Sequence, residues 1–343
     1  MTLVQHRQQP LPESAAADRP YRGESYYGMP PLKPSPWDWT VSGYIFLAGL
    51  SGAAQALAYI GQRIDRAAYS GVRRTARAMA TAGSAAGAVL LIIDLRTPRR
   101  WYNMLRIFRP TSPMSFGSYI LTAFGGFSAL TLLGEFVDGR GRLGRAAEAA
   151  AEKAQAGAAV TGAAASTYTA ALLSATSTPY WAAAPRHLGV LFASSAVASG
   201  AAALSLGERL AGRTHTSRRL DSVAALATVV QVVTAFDARR RLAHAGMPER
   251  LEQQPAGRTL KVSEFVLAGA VPLVAYALNR RRGGGSAGLS VAGSVSLLAG
   301  AWLFRHSLLK IGMESAKDPQ AQFAFAQPRR RLAASPEKPR RLP

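Results

Sequence analysis

The protein contains no cysteine in 343 residues. That absence excludes disulfides, thiolate-bound iron–sulfur clusters and covalently attached c-type haem, so any cluster serving this protein belongs to another subunit. Histidine is scarce, with five residues in all. His6, His215 and His244 fall in tails or loops, while His187 and His306 border apolar runs far apart in the sequence. Haem b in a bundle generally takes its ligands from within the spans, so neither haem nor a protein-bound metal is expected. Acidic residues number 19 against 41 Lys and Arg, a formal charge of +22. No zinc spacing, P-loop, nucleophile elbow or dinucleotide fingerprint is present. The amino terminus lacks the apolar stretch of a cleaved signal and a twin-arginine pair, so the first span is expected to direct insertion.

What the sequence does have is long stretches without a single charge. Its mean hydropathy of +0.04 conceals them, because basic loops cancel apolar segments in the average. Residues 39–62, 110–134, 154–185, 188–207 and 283–304 contain no Asp, Glu, Lys, Arg or His, and shorter such runs cover 78–93, 222–236 and 265–279. A bilayer-crossing helix needs about 20 predominantly apolar residues, and flanking basic residues extend the shorter runs by snorkelling. The pattern predicts an all-α integral membrane protein with a bundle of about eight transmembrane helices, divisible into two four-helix halves. Several runs are built from Ala, Gly, Ser and Thr, which let helix backbones approach closely where lipid supplies no hydrophobic drive. A soluble Ala-rich helical protein would not carry so many charge-free runs.

The basic residues lie between the runs, which is the membrane pattern and not that of a nucleic-acid binder. With both termini on one side, that side holds 25 Lys and Arg against 16, but counting loops alone reverses the balance to 12 against 16. The positive-inside rule weights short loops, so charge assigns no orientation. Residues 1–33 and 318–343 are rich in Pro, Arg, Gln and Ser without apolar periodicity and are expected to be a mobile tail and a basic disordered tail. The membrane domain is expected over 34–317. Between the second and third spans, residues 95–115 interleave aromatic and aliphatic side chains with five arginines, as suits a short amphipathic helix at the interface or a docking face for a peripheral subunit. Leu143 to Lys153 forms a second such stretch.

Chemistry inside a membrane needs polar groups within or at the ends of spans, where burial is costly. Asp94, Glu135, Glu208, Asp237 and Glu264 hold such positions. Each can equally be an interfacial anchor or a partner for a nearby arginine, as Arg209 and Arg239 are placed to be for Glu208 and Asp237. Tyr44 and Tyr168 stand inside spans, and a phenol can hydrogen-bond a carbonyl while its ring packs on a flat ligand, or can simply be core.

The motifs resemble those of the NrfD-like polysulfide reductase membrane-subunit family. WDWTVSGYIFLAGLSGA at 37–53 is similar to the family's Trp-rich start and Phe-Leu-x-Gly-Leu-x-x-Gly first helix. DLRTPRRW at 94–101 with SPMSFGS at 112–118 resembles its Asp-Leu-Gly-Arg-Pro and Ser-Pro-Met-Ser-x-Gly elements. YTAALL at 168–173, PYW at 179–181 and LFASSAVASG at 191–200 resemble Tyr-Thr-Gly, Pro-Phe-Trp and Leu-Phe-x-x-Ser-Ala, and Glu264, Pro272, Phe304, Arg305 and Gly312 fit the last two helices.

The resemblance spans about residues 26–318. It implies the membrane anchor of a molybdopterin and iron–sulfur oxidoreductase in the bacterial inner membrane. Such an anchor exchanges electrons between menaquinone or ubiquinone and a four-cluster ferredoxin-like iron–sulfur subunit, itself attached to a molybdopterin catalytic subunit. Carried over by position, Tyr44 falls where some members have a His that contacts quinone, and Tyr168 falls on the family's quinone-contacting Tyr. Asp94 and Arg96 join them as expected quinone-binding residues that fix the site's charge, and Glu135 is expected to relay protons toward the opposite side. On the amphipathic 95–115 segment, Arg99, Arg100, Trp101 and Arg106 are the expected partner-docking residues. Val41 departs from the pattern, standing where some members have Asn, and removes one hydrogen bond from the pocket. Two other readings compete. A transporter would be supported by broken helices at Pro179 and Pro272, and a structural anchor with a decayed quinone site by Val41.

Overall fold

The computed structural model describes residues 30–95, 97–109, 111–136, 141–283 and 286–326. Among these there is no strand. Eight long helices follow one another: α1 Trp39–Ile64, α2 Ser70–Asp94, α3 Pro113–Leu133, α4 Gly141–Ser174, α5 Pro185–Leu210, α6 Thr214–His244, α7 Pro255–Arg281 and α8 Ala287–Lys317. All except α4 are long and apolar enough to cross a membrane; α4 is the most Ala- and Gly-rich and carries charges along its first three turns. The stretch expected as a separate interfacial segment at Leu143 to Lys153 is instead continuous with α4. Glu148 and Glu152 alternate with alanines there, a composition that favours helix and offers no breaker.

Local chemistry sets the ends. The Asp38 carboxylate caps α1 by accepting from Thr40 N at 2.8 Å. Ser112 caps α3, which has Pro113 at its first position, and Ser286 caps α8. Gly212, just past α5, takes φ of +75°, the left-handed conformation that ends helices and that glycine adopts without strain. Within α7, Val262–Ala270 is wound as a π-helix. Pro272 follows two residues on and has no N–H to donate, so a widened turn just before it accommodates the lost bond without opening the helix to lipid. Pro179 starts a four-residue helix, Pro179–Ala182, between α4 and α5. Neither proline therefore breaks a span in two.

The eight helices form two four-membered rings of the same plan. In the first, α1 packs on α2 and α4, and α3 on α2 and α4; in the second, α5 packs on α6 and α8, and α7 on α6 and α8. The rings join through α1 against α5 and α8, and through α4 and α2 against α5. Burial follows: the most apolar stretches of α1 and α5 are 78% and 72% buried, against 28% for α2 and 22% for α3. The interior is built from small residues, with Ala54, Ala58, Ala76, Ala80, Ala158, Ala196, Ala198 and Ala201 fully buried. Large side chains such as Ile60, Val89, Leu130, Val160, Leu226 and Val233 point outward, the distribution expected when the solvent is lipid.

Several structural details differ from the expectations. The C-terminal tail expected from 318 begins with a helix, Pro319–Ala326, held where Arg250 chelates Asp318 at 2.5 and 2.9 Å. At the other terminus Leu32 N donates to Ala316 O. The carboxylates at span ends pair differently from sequence adjacency. Glu208 binds Arg213, Arg239 binds Glu264 at 2.7 Å, Asp237 faces His187, and Arg209 faces Asp221. A helix turns 100° per residue, so side-by-side residues such as Glu208 and Arg209 diverge, while partners from the next turn or helix converge.

A Cβ on Gly52 would stand 2.2 Å from the Gly162 carbonyl oxygen. Because the obstacle is backbone, Gly52→Val is expected to separate α1 from α4 and cost at least the ~1–3 kcal/mol typical of overpacking. This would be read as a lower thermal midpoint and loss of the monodisperse peak in detergent. Gly126, with nothing within 4 Å of its Cβ position, is the control, and Gly126→Ala should leave both unchanged. At the far end of the first ring, Arg77 donates to Glu135 at 2.7 Å and to Gln155 at 2.8 Å, with Arg73 also facing Glu135. Arg77 is 4% exposed, so Glu135→Gln should destabilise by about 3 kcal/mol, the lower end for orphaning a buried charge.

Candidate functional site

The start of α1, the end of α2, the start of α3 and the end of α4 meet at one end of the first ring. Residues 97–109 cross this end, tied to α3 by Tyr119 Oη donating to Leu105 O at 2.8 Å and by Arg109 N donating to Ser115 Oγ at 3.1 Å. Phe108 sits edge-on to Phe116 and Tyr119, each at 5.1 Å. Beneath lies a cavity of about 340 Å³, within the range of small-molecule sites, about 300–1,000 Å³. Its walls are mainly apolar, among them Trp37, Val41, Ile45, Leu91, Met104 and Leu172.

Tyr44 and Tyr168 both line it, with their hydroxyl oxygens 3.3 Å apart. Tyr44 is 5% exposed, and Tyr168 is half-buried. The Tyr168 ring needs the space at Gly117, where a Cβ would stand 2.3 Å from its Cε2. Asp94 also lines the cavity, half-buried at the last residue of α2, and Thr40 Oγ1 lies 3.2 Å from its Oδ1. Val41 contributes only methyl groups to the wall. Arg96 lies outside the described residues. Three of the four residues singled out from the sequence are thus brought together around one space.

The remaining expected residues lie elsewhere. Arg99, Arg100, Trp101 and Arg106 are exposed on the segment that covers the cavity. Glu135 is at the opposite end of α3, clasped by Arg73, Arg74 and Arg77. Among the described residues no three His, Asp or Glu side chains converge as metal ligands would. His306 Nδ1 contacts Ser42 Oγ at 3.1 Å.

Sequence reasoning passed over Asp38, Thr40, Asn103 and Gly117. Asn103 lines the cavity from the covering segment. Gly117 belongs to the SPMSFGS motif, and its role becomes visible only through Tyr168, 51 residues later. Asp38 is exposed outside the span, and bonds from the Thr40 hydroxyl and amide, with Lys310 nearby, hold its carboxyl below the usual range.

The corresponding end of the second ring is filled. Trp181 donates to Leu308 O at 2.9 Å, stacks on Trp37, and lies over Gly312, where a Cβ would stand 2.0 Å from the indole. Beside it Arg239 bridges Glu264 and Glu252, leaving about 30 Å³, roughly the share of one water in the liquid. Burial there pushes the Tyr180 phenol well above its ordinary range.

Comparison with known proteins gives the family. The profile described as "Polysulphide reductase, NrfD" matches residues 30–314, which takes in α1 to α7 whole and all but the last three residues of α8. Over 103 residues the sequence is 31% identical to the C subunit of the polysulfide reductase of Wolinella succinogenes, a match covering 29% of this protein and 32% of that relative. With the profile running from the residues before α1 almost to the end of α8, this multi-pass membrane protein belongs to the NrfD polysulphide reductase family.

Proposed function

We propose that the protein is the quinone-interacting membrane anchor of a multi-subunit oxidoreductase, exchanging electrons between menaquinone or ubiquinone and a partner iron–sulfur subunit. The observation that carries this reading is the pair of tyrosine hydroxyls, 3.3 Å apart, in an apolar cavity of about 340 Å³. A quinone head group is flat and apolar on its faces with a carbonyl oxygen at each end, and it supplies two-electron, two-proton chemistry when bound. The residues match that outline. Trp37 and the aliphatic walls enclose a ring, and either phenol can donate to an oxygen while accepting from the other. Asp94 adds a group able to hold a proton at the same wall.

Electrons must leave through another subunit, since the sequence has no thiolate. Arg99, Arg100, Trp101 and Arg106, exposed over the cavity, are the proposed docking face for a four-cluster ferredoxin-like subunit attached to a molybdopterin catalytic subunit. A docking face there keeps the electron path short. The proposed setting is the bacterial inner membrane. A proton path toward Glu135 is supported by Gln55, Ser128, Thr131 and Gln155, which are buried inside the first ring between the two ends.

Removing one of two phenols from a hydrogen-bonding pair is worth about 1–1.5 kcal/mol, or roughly tenfold. Tyr168→Phe and Tyr44→Phe, each in the assembled complex, are therefore expected to slow quinol oxidation about tenfold or more while the complex still forms. An unaltered rate in both variants would overturn the assignment. Val41→Asn restores an amide at the wall and should tighten quinone binding by about fivefold to tenfold, the worth of one hydrogen bond, read by titration of the purified complex.

A further inference from the structure

Antiparallel packing of α1 and α2 places the first turn of α1 against the last residue of α2. Three oxygens meet there. Thr40 Oγ1 lies 2.5 Å from Asp38 Oδ1 and 3.2 Å from Asp94 Oδ1. Asp94 lines the cavity, Thr40 is 4% exposed, and Asp38 is exposed to solvent. A threonine hydroxyl has one hydrogen to donate. With that hydrogen directed at Asp38, the nearer acceptor, a protonated Asp94 can donate to the Thr40 oxygen; with Asp94 ionised, the hydroxyl can turn to donate to either carboxylate. The three groups therefore form a chain from cavity carboxyl through buried hydroxyl to surface carboxylate.

We infer that Asp94, Thr40 and Asp38 form a proton relay that connects the cavity to the aqueous surface at the start of α1. The role rests on the quinone reading above and assigns two residues that reading does not use. In the outward direction, protonated Asp94 gives its proton to Thr40 Oγ1 as the Thr40 hydroxyl hydrogen passes to Asp38 Oδ1. Asp94 is left as a carboxylate and Asp38 as a neutral acid, which then loses the proton to water. Rotation of the Thr40 hydroxyl resets the relay. Quinol oxidation in the cavity supplies a proton to Asp94 while its electrons leave to the partner iron–sulfur subunit, and quinone reduction runs the same three groups inward. The other titratable groups facing Asp38 come from α8, namely Lys310 and His306. His306 touches Ser42, which also donates to the Asp38 carbonyl at 3.2 Å. The Thr40 bonds, with Lys310 nearby, favour the ionised form of Asp38 between transfers, so a proton that reaches it passes on to water.

The relay can be separated from helix capping. Asn is as good an N-cap as Asp, so Asp38→Asn keeps α1 intact while removing the proton acceptor. Thr40→Val keeps the side-chain shape and removes the hydroxyl, and Thr40→Ser restores it. The test uses the assembled complex in liposomes with three readouts: quinone affinity by quenching of tryptophan fluorescence, turnover, and proton release followed by a pH-sensitive dye. Asp38→Asn and Thr40→Val should bind quinone within about twofold of the unaltered complex. Turnover and proton release should both fall by about a hundredfold, the scale of losing a positioned proton-transfer group. Thr40→Ser should recover most of the rate, and added acetate should partly rescue Asp38→Asn. Undelayed proton release in both variants would overturn the relay, as would a loss that Thr40→Ser fails to recover. If the unaltered complex binds no quinone, the quinone reading itself falls, a result distinguishable from relay failure because it precedes any variant.

Discussion

Backbone contact between α1 and α4 sets the geometry of everything above it. Gly52 and Gly162 face each other with no side chain between them, and Ser166 adds a hydrogen bond to Gly49 O at 3.0 Å one turn further on. From that crossing, Tyr44 lies eight residues back along α1 and Tyr168 six residues forward along α4, toward the same end of the bundle. At 1.5 Å per residue these are rises of about 12 and about 9 Å. The two helices therefore carry their tyrosines to similar depth, close enough for the hydroxyls to meet and far enough from the crossing for a cavity to open beside them. The phenol pair thus follows from two glycines that line no part of the cavity.

The two rings show how the same plan can be left open or closed. In the first, residues 97–109 roof the end and touch α3 through bonds between their backbone and the Tyr119 and Ser115 side chains and through one aromatic cluster, leaving volume below. In the second, an indole drops onto Gly312 and an arginine bridging two carboxylates occupies what remains. Between the rings stands Arg305, fully buried, with Ser195 and the Ala301 carbonyl as hydrogen-bond partners and the rings of Phe46, Phe192 and Phe304 about it. Aromatic faces provide part of the stabilisation that a carboxylate would otherwise supply. The seam between the rings is accordingly held by this cation, by the Trp37–Trp181 stack and the Ser42–His306 contact, and by small-residue packing.

The spans were legible because lipid imposes a rule that one-dimensional sequence can express: no charge for about twenty residues. Tyr44, Tyr168 and Asp94 were legible through ordered motifs, which say nothing of distance; only the fold puts them around one space. What sequence could not supply was pairing across it. Glu208 with Arg213, Arg239 with Glu264 and Arg250 with Asp318 depend on helix phase and on neighbours up to 68 residues away. Charged alternation before residue 154 resembled an interfacial segment because composition cannot distinguish a helix lying on a membrane from the first turns of one entering it. Thr40 escaped notice for a related reason. Its two carboxylate partners are 2 and 54 residues away, and either contact alone would pass as a cap or a surface bond.

The alanine interior has a consequence for how this protein can change over time. An alanine has no rotamers to lose on burial, so assembling α1 and α5 at the centre costs little side-chain entropy. The same economy removes slack, because a residue that is already minimal can be exchanged only for glycine or serine without adding volume. Tolerance to substitution therefore lies with the outward-facing positions, where any apolar residue satisfies lipid, and the smallest residues of the bundle are the ones least free to grow.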